Sequence, residues 1–128
     1  MANVSRGAAG EVLAARFLRD KGWNILVANY RTRFGEIDII ADDGQYIVFV
    51  EVKTRGEHAW FTPAEAVTAD KQRKLIRTAG QFLQKYPSNL QPRFDVIEVW
   101  NDEHDPLKVI ELNHILGAYE TEGLYAAF

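Results

Sequence analysis

The 128-residue chain contains no cysteine. Disulfides, zinc–thiolate centres and thiol nucleophiles are therefore excluded, and the absence fits a reducing compartment. There is no run of eighteen apolar residues, and no signal-peptide pattern follows Met1. A cytoplasmic protein without a membrane partner is expected. Repeats, low-complexity runs and second-domain linkers are also lacking. The expectation is one domain over residues 1–128, with 117–128 a tail that frays or packs on a neighbouring copy. Net positive charge is missing as well, the chain standing at −3. The charge is uneven, however. Residues 1–94 carry 14 Lys and Arg against 10 Asp and Glu, a net of +4, and residues 95–128 carry 1 against 8, a net of −7. The acidity sits in the last quarter, so the overall charge does not exclude a face that meets a phosphate backbone.

What is present centres on residues 35–55, GEIDIIADDGQYIVFVEVKTR. Asp42-Asp43-Gly44 is a turn signal, because Asp and Gly accept the backbone angles of tight hairpins. Glu36–Ile40 reads as the strand before the turn. Ile47–Lys53 reads as the strand after it, a β-branched and aromatic run buried on both faces at its start. Glu51 and Lys53, two residues apart, share one strand face. A two-residue loop would pair Asp38 with Phe49, and a four-residue loop, 43 to 46, would pair it with Glu51. Either puts Asp38 on the face of Glu51 and Lys53, unless a bulge intervenes. Two carboxylates and an ammonium converging in an apolar setting are costly unless they bind something. A hard divalent cation suits carboxylate oxygens.

Asp38, followed thirteen positions later by Glu51-Val52-Lys53, resembles the PD-(D/E)xK nuclease signature. More closely, GEIDII followed by FVEVKTR resembles the YraN-type family of small bacterial endonuclease-like proteins, itself similar to archaeal Holliday-junction resolvases. The likeness covers roughly residues 6–115. Ile37 stands where the wider signature has Pro, and no target-recognition insert is evident. The resemblance implies a DNA nuclease using Mg2+ or Mn2+ on branched or flap structures. Asp38, Glu51 and the Val52 carbonyl would be metal ligands, Glu11 of the first helix would complete the set, and Lys53 would be the catalytic lysine. A polar residue on the second helix often supports that lysine in such nucleases, which makes Gln72 a candidate. Resolvases cut as dimers, which leaves a homodimer open here.

Elsewhere, Ser5 is placed to cap a helix running to about Lys21, with Gly22 ending it. Gly7, Ala8, Glu11, Ala14, Ala15 and Leu18 fall on one stripe, so Glu11 either pairs outward or faces the hairpin site. Residues 23–30 read as a strand, and Arg31-Thr32-Arg33 as a basic connector that is either solvated or in phosphate contact. Arg55 after the motif joins these candidates. Glu36 is a ligand or a partner of Arg33 or Lys53. His58 reads as an exposed loop residue, and Trp60-Phe61 cover the core or stack on bases. Thr62-Pro63-Ala64-Glu65 is a capping box for a helix, re-started at Thr68 or continuous, to about Tyr86. Leu75, Ile76, Ala79, Phe82, Leu83 and Tyr86 form its apolar stripe. Lys71, Arg73, Lys74 and Arg77 make either a solvated face or a phosphate-tracking patch. Strands follow at 93–100 and 107–115, with Glu98, Asp102, Glu103 and Asp105 read as solvated, and His104 and His114 without a role.

This order predicts an α/β three-layer sandwich. A mixed central sheet of about five strands would carry helices on both faces, as in restriction-endonuclease-like folds. Two further functions compete with the nuclease: a non-catalytic nucleic-acid-binding module of the same fold, and a structural or partner-binding domain. DNA is favoured over RNA as the nucleic acid.

Overall fold

The computed structural model describes residues 4–58 and 67–119. Its elements are α1 (Arg6–Asp20), β1 (Asn24–Thr32), β2 (Gly35–Asp42), β3 (Tyr46–Gly56), α2 (Ala69–Lys85), β4 (Gln91–Asn101) and β5 (Val109–Ile115). The five strands form one open sheet in chain order. β1–β2, β2–β3 and β4–β5 pair antiparallel, and β3–β4 pair parallel through α2. A helix lies on each face, so the mixed three-layer sandwich is present.

Local chemistry explains the elements. The Ser5 hydroxyl accepts the Ala8 N–H at 3.1 Å, and Thr68 does the same for Lys71 at 3.2 Å, so both helices start at capped termini. The second helix begins at the Thr68 re-start, and the capping box at 62–65 lies outside the described residues. At the hairpin, an Asp43 carboxylate oxygen accepts the N–H groups of Gln45 and Tyr46 at 2.9 and 2.6 Å, while Gly44 takes φ +95°. The loop therefore has four residues. Asp42 stands opposite Ile47 and Ile39 opposite Val50, the second of the two expected registers.

Two apolar layers hold the sandwich. Leu13, Ala14 and Leu18 of α1 pack on Ile39, Val48, Val50, Ile97 and Val99. Leu75, Ala79 and Phe82 of α2 pack on Ile37, Ile40, Phe49, Phe94 and Val96. Each such aliphatic or Phe side chain contributes roughly 1.5–3 kcal/mol by leaving water.

The structure moves several sequence-based boundaries and faces. The buried face of α1 is Ala9, Gly10, Leu13, Ala14 and Leu18, turned by about one residue from the expected stripe. The cause is Gly10, where the helix comes so near β3 that a Cβ would lie 1.9 Å from Thr54 Oγ1. Glu11 consequently sits half-buried at the flank, and Gly7 is exposed. Arg31 and Thr32 belong to β1, and Arg55 to β3, rather than to connectors. Tyr86 ends the α2 stripe half-exposed.

Candidate functional site at the splayed β2–β3 edge

Strand β2 turns over at Asp38. Ile37 packs in the α2-side core, yet Ile39, two residues on, packs in the α1-side core. A regular strand would keep them on one face. The ladder confirms the break. β2–β3 pairing ends at Ile39–Val50. On the other side, the pairs Ala28–Ile39 and Tyr30–Ile37 flank a missing Asn29–Asp38 pair. Asn29 there adopts φ +54°, a left-handed conformation that Asn tolerates better than most residues. Asp38 Oδ2 accepts the Val52 N–H at 2.8 Å, so a side chain substitutes for the lost ladder bond. The result is a notch between β2 and β3.

Two cavities open on this notch and share Glu36, Asp38 and Glu51. One, of about 470 Å³, is lined by Glu11, Asn29, Arg31, Lys53 and Arg55 besides the shared residues. The other, of about 310 Å³, adds Lys71, Lys74 and Leu75. The notch thus opens toward both helices.

Glu51 is buried, its side chain 8% exposed, and its Oε1 receives two ammonium groups: Lys53 Nζ at 3.2 Å and Lys71 Nζ at 2.6 Å. Burial pushes the Asp38 carboxyl up to about 8, with repulsion from Glu51 and Glu11 and a hydrogen bond with Glu11 adding to it. The Val52 N–H works in the opposite direction. Lys53 is pushed below the ordinary lysine value, first by burial and then by its contact with Lys71. Burial also opposes the charge of Lys71. The hydrogen bonds with Glu51 and Lys53 and the attraction of Glu51 and Asp38 outweigh it, so Lys71 is held above the ordinary value.

The expected site residues divide into those brought together and those used elsewhere. Asp38, Glu51, Lys53 and the Val52 backbone meet in the notch, and Glu11 faces Asp38 from α1. The Gln72 carboxamide donates to the Val67 carbonyl at 3.0 Å, a partner other than Lys53. Glu36 pairs with Arg31 at 3.3 Å rather than with Arg33 or Lys53. The guanidinium carbons of Arg33 and Arg77 lie 4.9 and 5.3 Å from the Phe34 ring centre. Arg73 and Lys74 both reach Asp70 at 3.4 Å, and Arg55 donates to the Thr54 carbonyl at 2.7 Å. His58 is exposed, and Trp60 and Phe61 fall outside the described residues.

Sequence reasoning missed or misread four residues, of which Lys71 and Asn29 belong to the notch. Lys71 was grouped with the basic face, although its spacing to Leu75, Ala79 and Phe82 puts it at the head of the buried stripe. Asn29 carried no signal beyond its tolerance of positive φ. Glu98, read as solvated, is 4% exposed and stands in register with Lys53 across the parallel β3–β4 pair. Burial pushes its carboxyl up, with Asn113 hydrogen-bonded against that shift. His114 places Nε2 2.7 Å from the fully buried Asp95, which also holds Arg93 Nε at 2.8 Å and the Gly117 N–H at 3.0 Å. That cluster locks β4 to β5 and lies outside both notch cavities.

The donors around the notch are oxygen-only, which fits a hard divalent cation: the Asp38, Glu51 and Glu11 carboxylates and the Val52 carbonyl. Among the described residues, no three His, Asp or Glu side chains converge tightly enough to hold a metal ion. Glu51 is turned toward its lysines, and Asp38 toward Val52 and Glu11. No helix among the described residues is long and apolar enough to cross a membrane.

Fold and site define an α/β sandwich protein with a carboxylate–lysine cluster at a break in its sheet. The chain belongs to the uncharacterised protein family UPF0102, whose model matches residues 10–99. This is the YraN-type family that the hairpin motif resembles. It is 54% identical over 94 residues to a UPF0102 protein of Symbiobacterium thermophilum, covering 73% of this chain and 80% of the relative. A UPF0102 protein of Chlorobium limicola is 43% identical over 122 residues, 92% of this chain and 94% of the relative. One of Alkaliphilus oremlandii is 47% identical over 120 residues, 91% and 99% of the two chains.

Proposed function

We propose that this chain is a nuclease that hydrolyses phosphodiester bonds in DNA with Mg2+ or Mn2+, on branched or flap structures. The observation that carries the reading is the meeting of Asp38, Glu51 and Lys53 at a strand break open to solvent, where Asp38 is fixed by the Val52 N–H. Asp38, Glu51 and the Val52 carbonyl would hold the cation, with Glu11 beside them. When bound, the cation supplies charge that polarises a phosphodiester and acidifies a water. Lys53 then orients that water and offsets charge growing on the phosphate oxygens. Its proton affinity, lowered first by burial and then by Lys71, lets it give up a proton more readily than a solvated lysine. Arg33 and Arg77, on the β1–β2 hairpin and α2, supply a basic rim for the flanking phosphates. The two-fold symmetry of a four-way junction would call for two copies, which sedimentation on a junction substrate would count.

The test is cleavage of flap and four-way-junction DNA with Mn2+ by the parent protein, Asp38→Ala and Lys53→Ala, each checked for a cooperative melt. Loss of cleavage in both folded variants is expected. Parental rates in both would reject the assignment.

A second reading, a non-catalytic nucleic-acid-binding module, is favoured by one observation: both ammonium groups already satisfy Glu51. It predicts DNA affinity untouched by Asp38→Ala and weakened by Lys71 and Lys74 substitution, without cleavage.

A further inference from the structure

Lys71 is the short, strong partner of the site. Its Nζ lies 2.6 Å from Glu51 Oε1, against 3.2 Å for Lys53, and both lysines use that same oxygen. The Lys71 side chain is 39% exposed and that of Lys53 13%, so Lys71 is the one with room to leave. It comes from the first turn of α2 and lines the α2-side cavity with Lys74, the side on which Arg33 and Arg77 flank Phe34. A cation on Glu51 Oε1 must therefore take a place that an ammonium now holds, since a third positive group at an oxygen already shared by two would be repelled by both.

We propose that Lys71 and the divalent cation compete for Glu51, and that Lys71, once displaced, becomes the contact for a substrate phosphate entering from the α2 side. The charges support an exchange. Glu11, Asp38 and Glu51 offer three negative charges when all are ionised, and Lys53 and Lys71 offer two positive ones. A divalent cation leaves one positive charge in excess, and one phosphodiester cancels it. Cation and phosphate then favour each other, since each corrects the imbalance the other leaves. The inference rests on the cation reading above, and the experiment separates the two.

Manganese is titrated calorimetrically into the full chain and into Lys71→Gln, Lys74→Gln and Asp38→Asn, each first checked for a cooperative thermal melt. Lys74 is the matched control. It lines the same cavity, but its ammonium pairs with Asp70 at 3.4 Å, where that of Lys71 pairs with Glu51. Direct competition predicts that Lys71→Gln binds Mn2+ at least about tenfold tighter than the parent, and Lys74→Gln within about twofold of it. It also predicts that, with Ca2+ present, Lys71→Gln binds a short DNA duplex more weakly than the parent. Equal tightening in both lysine variants would mean field effects alone and would overturn the exchange while leaving the cation site standing. Unchanged binding in Lys71→Gln would overturn it likewise. No saturable Mn2+ binding in any form, or binding that survives Asp38→Asn, would overturn the cation site and the exchange together.

Discussion

Replacing Asp38 by Asn removes a charge and leaves a hydrogen bond. The amide oxygen of Asn can still accept the Val52 N–H that Asp38 holds at 2.8 Å. The fold of the notch should therefore survive, and the energetic change should be electrostatic. The Asp38 carboxyl is raised from 3.8 to about 8, mostly by burial. Between those values the folded protein binds a proton that the unfolded chain has lost. Stability from this group is thus fully present below the unfolded value and drains away as pH rises toward 8. The whole interval corresponds to roughly 6 kcal/mol at about 1.4 kcal/mol per pH unit. The notch is open to water and two lysines stand nearby, so about half or less should be realised, ~2–3 kcal/mol. Urea unfolding of the parent and Asp38→Asn at pH 5 and pH 9, with chelator present, measures it. Histidines and other shared groups cancel in the comparison. Only the part of that interval from pH 5 to about 8 lies between the two measurements, so the variant should gain ~2 kcal/mol on the parent, or roughly 6–10 °C in Tm for a chain of this size. Parallel profiles, within about 0.5 kcal/mol, would refute the claim that Asp38 is held protonated by its surroundings.

Asp95 has the opposite sign. Burial disfavours its charge, but His114, Arg93 and the Gly117 N–H outweigh that and hold its carboxyl below the ordinary value. Its stabilisation is present above the unfolded value and lost as pH falls below it, so Asp95→Asn should flatten the acid limb of a stability–pH profile. Asp95→Ala leaves Arg93 without its main acceptor and should cost ~3–5 kcal/mol in a urea melt, with faster hydrogen exchange at Gly117. Gly10→Ala drives a methyl into Thr54 and should cost ~1–3 kcal/mol by the same assay, with Glu11 displaced from Asp38. Thr68→Ala removes the cap of α2 and should cost about 1 kcal/mol in urea, loosening the turn that carries Lys71.

The fold was legible because its signals are local. The Asp-Gly turn, the β-branched run at 47–50, and the Ser5 and Thr68 caps each depend on neighbours in sequence. Periodicity then assigned the two helices. It erred by one residue in the phase of α1, because Gly7 and Gly10 both look like a close-approach residue and only the position of Thr54 on another element distinguishes them. Strand ends also drifted. Charged residues such as Arg31 and Arg55 read as loop, whereas here they extend β1 and β3 beside the notch.

The site was legible only in part, for a related reason. Alternation put Glu51 and Lys53 on one face, and the loop length brought Asp38 beside them. The turnover of β2 between Ile37 and Ile39 is not written in that alternation. It depends on Asn29 breaking the pairing from the far side and on the Asp38 carboxylate taking the Val52 N–H. Nor could the roles of the charged residues be read from their types. Lys71, Arg73 and Lys74 are near-identical in sequence context, yet one grips a buried carboxylate and the other two share an exposed Asp70. What separates them is their place around the helix, about 200° from Lys71 to Arg73 and about 60° from Lys71 to Lys74, relative to a sheet that local sequence does not show. Glu98 makes the same point from β4. Its burial follows from standing beside Lys53 in a parallel register set by the α2 crossover, a pairing forty-five residues apart in the chain. A long-range parallel pairing of that kind leaves no trace in local composition, so a buried carboxylate there is indistinguishable from a solvated one until the sheet is assembled.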